Sequence, residues 1–191
     1  MTAIHPIEAE SYRIIRGRVD LSRFGPLAVE VVARVIHASA DIDYAQTMVV
    51  DDSAVAAGID ALRRRAPVIC DVEMVRHGLT GLDAMCYIGE SGTNGDTRSA
   101  EGVRVAAGRH PAGAIFVIGC APSALFEVVR LAGAGLVAPA LVIGLPVGFV
   151  GAYESKEALR ASGLTAISNA GEKGGSAVAA AACNAVIRMA T

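Results

Sequence analysis

The 191-residue sequence predicts one α/β domain spanning residues 1–191. Its expected form is a three-layer αβα arrangement: a mostly parallel sheet with helices on both faces, preceded by an N-terminal helical pair. Two observations predict this. From Thr47 onward, short continuous apolar runs alternate with amphipathic stretches, the pattern of buried parallel strands joined by crossover helices. Gly, Pro and small polar residues gather just after those runs, where an open parallel sheet forms its ligand crevice. Composition supplies the core, since 53% of residues are hydrophobic.

Pro6 can open the first helix at its first turn, and that helix carries Ser11, Tyr12, Ile14 and Ile15. Asp20 to Gly25 forms a connector, and Pro26 opens a second helix that ends near His37. Along it, Val31, Val32, Val35 and Ile36 form a core-facing side, while Glu30, Arg34 and His37 share the opposite stripe. Thr47 to Val50 reads as a strand, Asp52 as an N-cap and Ser53 to Arg65 as a helix. The run Arg63-Arg64-Arg65 suits that helix's C-terminal dipole. Buried strands are expected at Val68–Cys70, Met85–Ile88, Ala114–Ile118, Leu141–Ile143 and Thr165–Ile167. Helices are expected at Ser99–Ala107, Pro122–Ala132, Glu154–Ala161 and Ser176–Met189.

Composition also excludes function classes. Net charge is −2 and only 4% of residues are aromatic, with no Trp, so the stacking platforms and positive groove of a nucleic-acid binder are missing. The apolar runs break well before the ~20 residues that span a bilayer. Met1 to Glu10 lacks a basic segment followed by an apolar one, so no secretory signal is read and a cytoplasmic protein is expected. Cys70, Cys86, Cys120 and Cys183 lie far apart, and the four histidines show no ligand spacing. Reduced, mostly buried cysteines (Cys120 among them) and no metal site are expected.

Several motifs carry two readings. Gly133-Ala134-Gly135-Leu136-Val137-Ala138 has the letters of a dinucleotide loop, but it follows a helix and precedes a strand, so it reads as a helix C-terminal turn. Gly174-Gly175-Ser176 opens a helix and serves either as a carboxylate seat or as a close-packed turn. Thr97 and Arg98 follow the Gly- and Ser-rich stretch Gly89 to Asp96; Arg98 awaits either an anionic ligand or a salt bridge to Asp96 or Glu101. Asp71 and Glu73 read as helix caps in preference to an acid/base pair. His37 is either a dipole partner at a helix end or a proton-transfer group, and Glu30 with Arg34 reads as a surface pair.

The segments Ile7-Glu8-x-x-Ser11-Tyr12-x-Ile14-Ile15, Arg34-Val35-Ile36-His37, Pro67 to Val75 and Thr97-Arg98-Ser99-Ala100 occur in that order. They are followed by Gly119-Cys120-Ala121-Pro122-Ser123-Ala124-Leu125, by Gly144 to Lys156 and by Gly174-Gly175-Ser176. Together they resemble the precorrin-8X methylmutase family of cobalamin biosynthesis, over nearly the whole chain. Pro146-Val147-Gly148-Phe149-Val150-Gly151-Ala152-x-Glu154-Ser155-Lys156 is the most specific stretch. The resemblance implies an isomerase that moves a methyl group between adjacent carbons of pyrrole ring C, with no cofactor. It implies that His37 is the proton donor and acceptor and that Ser11 and Arg34 contact substrate. Arg98, Thr97, Gly174, Gly175 and Ser176 join them as candidates for the substrate's carboxylate arms, while Phe149 and Met74 are candidates for apolar walls. The corrinoid is the expected small-molecule partner, and a homodimer with its site near the subunit interface is expected. Where the family has Gly-Asn-Ala-Pro, this chain has Gly119-Cys120-Ala121-Pro122, and it has Gly95-Asp96 in place of Gly-Asn. A non-catalytic corrinoid carrier and a nucleotide-dependent α/β enzyme are the competing readings.

Overall fold

The structure, a computed structural model, describes residues 5–90 and 96–191. Part of the stretch expected between Gly89 and Asp96, residues 91–95, lies outside the described residues, as do the first four residues of the N-terminal segment. The chain opens with helices α1 (Pro6–Arg18), α2 (Ala28–Ser39) and a short α3 (Tyr44–Thr47). Then follow β1 (Met48–Val49), α4 (Asp52–Arg63), β2 (Val68–Cys70), α5 (Glu73–Gly78), β3 (Met85–Cys86) and α6 (Arg98–Arg109). The second half runs β4 (Ile115–Ile118), α7 (Pro122–Gly133), β5 (Leu141–Gly144), α8 (Ala152–Ala161), β6 (Ala166–Asn169) and α9 (Ser176–Ala190).

The six strands form one sheet in the order β1-β6-β5-β4-β2-β3. Every neighbouring pair is parallel except β1 with β6, which is antiparallel at the edge. Side chains alternate across a strand, so each strand feeds two cores. Val68, Cys70, Ile115, Val117, Leu141, Ile143 and Ile167 pack with α1, α2, α4, α5 and α9. Ile69, Phe116, Ile118 and Val142 pack with α6, α7 and α8. The expected three layers are therefore present. Helix α9 is the hub of the first layer, lying against α2, α4 and α5, and its run Ala179–Ala182 is buried. Small side chains let several helices approach one axis closely.

Differences from the sequence reading have local causes. Asp51, not Asp52, caps α4: its side chain accepts from the Ala54 N–H at 2.8 Å. Asp52 Oδ1 instead accepts from the N–H groups of Leu27 and Ala28, at 3.0 and 2.8 Å, and so caps the start of α2 from another element. Helix α2 therefore starts at Ala28, two residues after Pro26. Helices α3 and α5 span only 4 and 6 residues and have no side-chain cap, so no periodic signal marked them. Arg63–Arg65 and Gly133–Gly135 do terminate helices; Arg65 (φ 59°) and Gly135 (φ 70°) adopt left-handed backbone there.

Sheet order also fixes the crevice. From β2 the chain proceeds to the edge strand β3, then crosses back to β4 on the other side of β2. The loops after β2 and β4 thus diverge, which makes a topological switch point.

Candidate functional site

Helix α1 lies on α2 through its buried face, Tyr12 and Ile15. This contact brings Ser11 to the last turn of α2, where Ser11 Oγ lies 2.7 Å from His37 Nδ1. The Tyr12 ring stands 5.4 Å from the His37 ring, centroid to centroid. Helix α2 ends just beyond, where Ala40 takes a left-handed conformation and donates its N–H to the Ile36 carbonyl at 2.8 Å. One face of the imidazole is thus braced and one nitrogen engaged. Among the described residues, Nε2 has no hydrogen-bond partner. If the Ser11 hydroxyl donates to Nδ1, Nε2 carries the proton and can give it up. If Nδ1–H donates to Ser11, Nε2 offers a lone pair. Either tautomer leaves a directed acid or base.

One turn behind, Arg34 meets Glu8 at 2.5 Å and the Tyr12 hydroxyl at 3.3 Å. Glu8 also accepts from Arg188 of α9 at 3.0 Å, so one carboxylate joins three helices. Burial raises the Tyr12 pKa above its ordinary value and keeps the phenol neutral. The surface pair expected between Glu30 and Arg34 does not form; Glu30 pairs with Arg16 at 2.9 Å. The reason is that α1, lying across α2, offers each of them a closer partner. Arg34 and Tyr12 also edge a cleft of about 820 Å³ between α2, α4 and the end of α9, together with Ile59, Arg63, Asn184 and Arg188. His37 and Ser11 sit beside this cleft and do not line it.

Gly174, Gly175 and Ser176 begin α9 as expected, and their packing is tight. A Cβ on Gly174 would stand 2.3 Å from the Leu145 carbonyl oxygen and 2.4 Å from that of Pro146. Gly175 (φ 127°) donates its N–H to Leu145 O at 2.8 Å. The close-packed turn is therefore present, and the first turn of α9 has no side-chain cap to occupy its N–H groups. Lys173 ties this start to the far end of α2, with Nζ 2.7 Å from both Asp41 and Asp43.

Thr97 and Arg98 lie on the other side of the sheet. Thr97 caps α6, accepting from the Ala100 N–H at 3.2 Å, and its hydroxyl lies 2.6 Å from that of Ser123. Arg98 is exposed and has no ion pair among the described residues. Its two expected carboxylate partners are both taken by Arg104, which also meets Glu127 at 2.7 Å. Among the described residues, no hydrogen bond or ion pair joins Arg98 to His37.

Asp71 does not cap its own helix. Its buried carboxylate reaches across the switch point and accepts from the N–H groups of Gly119, Cys120 and Ala121 at 3.0, 2.8 and 2.9 Å. Burial raises its pKa against the lowering effect of those three bonds. Glu73 lies in α5 and pairs with Arg76 at 2.6 Å. Cys120, expected inside, is exposed, because this turn presents its backbone to Asp71 and its side chain outward. Phe149 (97% exposed) and Met74 (73% exposed) stand on the surface of this chain, outside the cleft edged by Arg34. The sequence reading missed Glu8, Lys156, Lys173 and Arg188. A signal for Lys156 existed, since it shares a helical face with Ala152, Ser155 and Leu159, all buried.

Comparison with known proteins bears on the whole chain. Residues 6–189 match the family model described as precorrin-8X methylmutase. The cobalt-precorrin-8 methylmutase of Methanothermobacter thermautotrophicus is 39% identical, over 97% of this chain and 93% of that protein. The precorrin-8X methylmutase of a Sinorhizobium species is 37% identical, over 95% and 93%. Among solved structures, the precorrin-8X methyl mutase from Thermus thermophilus superposes with a TM-score of 0.88 at 34% identity, over 96% of this chain and 95% of that one.

Proposed function

The chain belongs to the precorrin-8X methylmutase family, and from that premise we propose that His37 is the group that moves the proton during methyl migration. The protein is an isomerase of cobalamin biosynthesis. Its reaction shifts a methyl group between adjacent carbons of pyrrole ring C, converting precorrin-8X to hydrogenobyrinic acid, or the cobalt-bearing precursor to cobyrinic acid. The observation that carries the assignment is the 2.7 Å contact of His37 Nδ1 with Ser11, which leaves Nε2 as the reactive nitrogen.

A sigmatropic shift on a conjugated ring is helped by holding the correct tautomer, and an imidazole can add or withdraw the proton that sets it. Ser11 orients the ring, and Tyr12 backs it with an apolar face. The substrate carries several carboxylate arms around an apolar macrocycle, so it calls for cationic and N–H groups at a rim with apolar surface between them. Arg34 is adjacent to His37 and exchanges Glu8 for a substrate carboxylate. The uncapped first turn of α9, beginning at Ser176 after the close-packed Gly174-Gly175 turn, offers N–H groups to a second arm. Arg98 and Thr97 serve arms from across the sheet. Their separation from His37 within one chain supports a homodimer in which each site draws on both copies, with Phe149, Val150 and Met74 as apolar cover. A cytoplasmic location accords with this reaction.

The test is single-turnover conversion of precursor by the purified protein, followed by absorbance. Conversion supports the assignment. A protein that binds the corrinoid but leaves it unchanged is a carrier, and the reading fails.

A further inference from the structure

The most specific stretch of the sequence ends in a charge that the proposed chemistry does not use. Lys156 is fully buried, at 0% exposure, and so is Asn169. Lys156 Nζ donates to Asn169 Oδ1 at 3.0 Å and to the Lys173 carbonyl at 2.7 Å. Asn169 Nδ2 donates to that same carbonyl at 2.9 Å and to Ala170 O at 3.1 Å. One backbone oxygen thus receives two buried donors. Among the described residues, no carboxylate lies within ion-pair distance of the ammonium. Burial lowers its pKa to about 8, neighbouring Arg160 adds to that effect, and Glu172 opposes it.

Burying an ammonium without a counter-charge is costly, and an apolar side chain of similar volume would fill the space at less cost. The expense therefore points to what the ammonium grips. Lys173 O belongs to the peptide unit whose N–H is that of Gly174, and two strong donors on a carbonyl polarise the N–H of the same unit. The Lys173 side chain runs the other way, to Asp41 and Asp43 just after α2. The segment is pinned further by Gly148 N–H to Glu172 O at 3.1 Å and by Arg160 to Asn169 O at 2.9 Å. A rigid path therefore leads from the interior of α8, through residues 169–174, to the end of the helix that carries His37.

We propose that Lys156 is a positioning residue for methyl migration: from the interior it fixes the 169–174 loop, and through the Lys173 bridge to Asp41 and Asp43 it holds the end of α2 that presents His37. This rests on the assignment of His37 given above. It gives the Glu-Ser-Lys ending of that stretch a role in the reaction that does not require contact with substrate.

The experiment uses the full chain and three variants: Lys156→Met, Lys173→Met and the double variant. Thermal unfolding, product titration by absorbance and the single-turnover rate are measured for each. Lys156→Met should unfold at the wild-type temperature or above it, because a buried charge becomes an apolar group. Its single-turnover rate should fall roughly 10–100-fold, the scale of a small displacement of a reacting group. Lys173→Met should fall in the same direction, and the double variant no further than Lys156→Met, since both act along one path. A Lys156 that only supports the fold would lower the unfolding temperature and leave the rate per folded molecule unchanged, and that result overturns the proposal. Independent, multiplying losses overturn the route through Lys173. Should Lys156→Met fail to fold, the surface variant Lys173→Met decides, with a wild-type rate as the contrary result. A wild-type protein that never converts precursor would instead sink the reading of His37, and this proposal with it.

Discussion

At His37 and Arg34 two side chains of one helix turn are held by the same neighbouring helix for different purposes. Ser11 engages a ring nitrogen, whereas Glu8 occupies a guanidinium that a substrate carboxylate would need. Arg34→Ala should therefore weaken corrinoid binding by roughly 1.5–3 kcal/mol, the range for hydrogen bonds to charged groups. A titration of the folded variant with wild-type affinity would remove Arg34 from the binding rim. Lys156 makes a second residue-scale prediction, about stability. Its folded pKa, about 8, lies below the 10.5 of the free side chain. Below pH 8 both states hold the proton and the full cost of burial applies. Between about 8 and 10.5 the unfolded chain binds more protons than the folded one, so this group's contribution to stability rises with pH. Urea unfolding on either side of that window should show the rise in the wild type and its loss in Lys156→Met; identical slopes would contradict the linkage. At this scale the sequence was partly legible. Ser11, Arg34 and His37 stand in motif order and the structure brings them together, but Glu8, Lys173 and Arg188 act across 26 residues or more of chain and leave no local pattern.

Among the elements, the caps carry the most specific information. Asp51 caps its own helix while Asp52, next to it, caps α2 from outside, so a two-residue acidic pair joins the two helices at their starts. Asp52→Ala should cost about 1 kcal/mol, the typical worth of a cap, although Asp52 lies within α4 and not at its cap position. Denaturant unfolding within a few tenths of wild type would show that the cross-element cap contributes nothing. Gly174→Ala should be far more damaging than its position in a loop suggests, because its Cβ would overlap two carbonyl oxygens of the segment after β5. Strands β2, β4 and β5 and the long helices were readable because burial on both faces leaves continuous apolar runs and one-sided burial leaves a 3.6-residue period. Helices α3 and α5 are too short to establish any period, and the trans cap of Asp52 depends on a contact that no single stretch encodes.

On the scale of the whole molecule, the sheet separates residues that the proposed site would bring together. His37 and the start of α9 belong to one helical layer, Thr97 and Arg98 to the other. If two copies complete each site, mixing His37→Asn with Arg98→Ala should restore a share of the activity that each variant lacks alone, through hybrid sites with both residues intact. Sedimentation should show a dimer in every case, and a monomeric, fully active wild type would refute the shared site. The fold class was legible from alternation alone, but the separation of Arg98 from His37 was not, because sequence order is silent about which face of a sheet a crossover takes. The proposed chemistry depends above all on one nitrogen. His37→Asn keeps size and hydrogen-bonding capacity while removing the acid–base group, so the decisive measurement is its single-turnover conversion of precursor in a variant shown to be folded and to bind product. Intact binding is expected, with conversion slowed by at least ~10²–10⁴-fold, the usual worth of a general acid–base group. Conversion at the wild-type rate would contradict it and leave the pocket acting only by orienting the macrocycle.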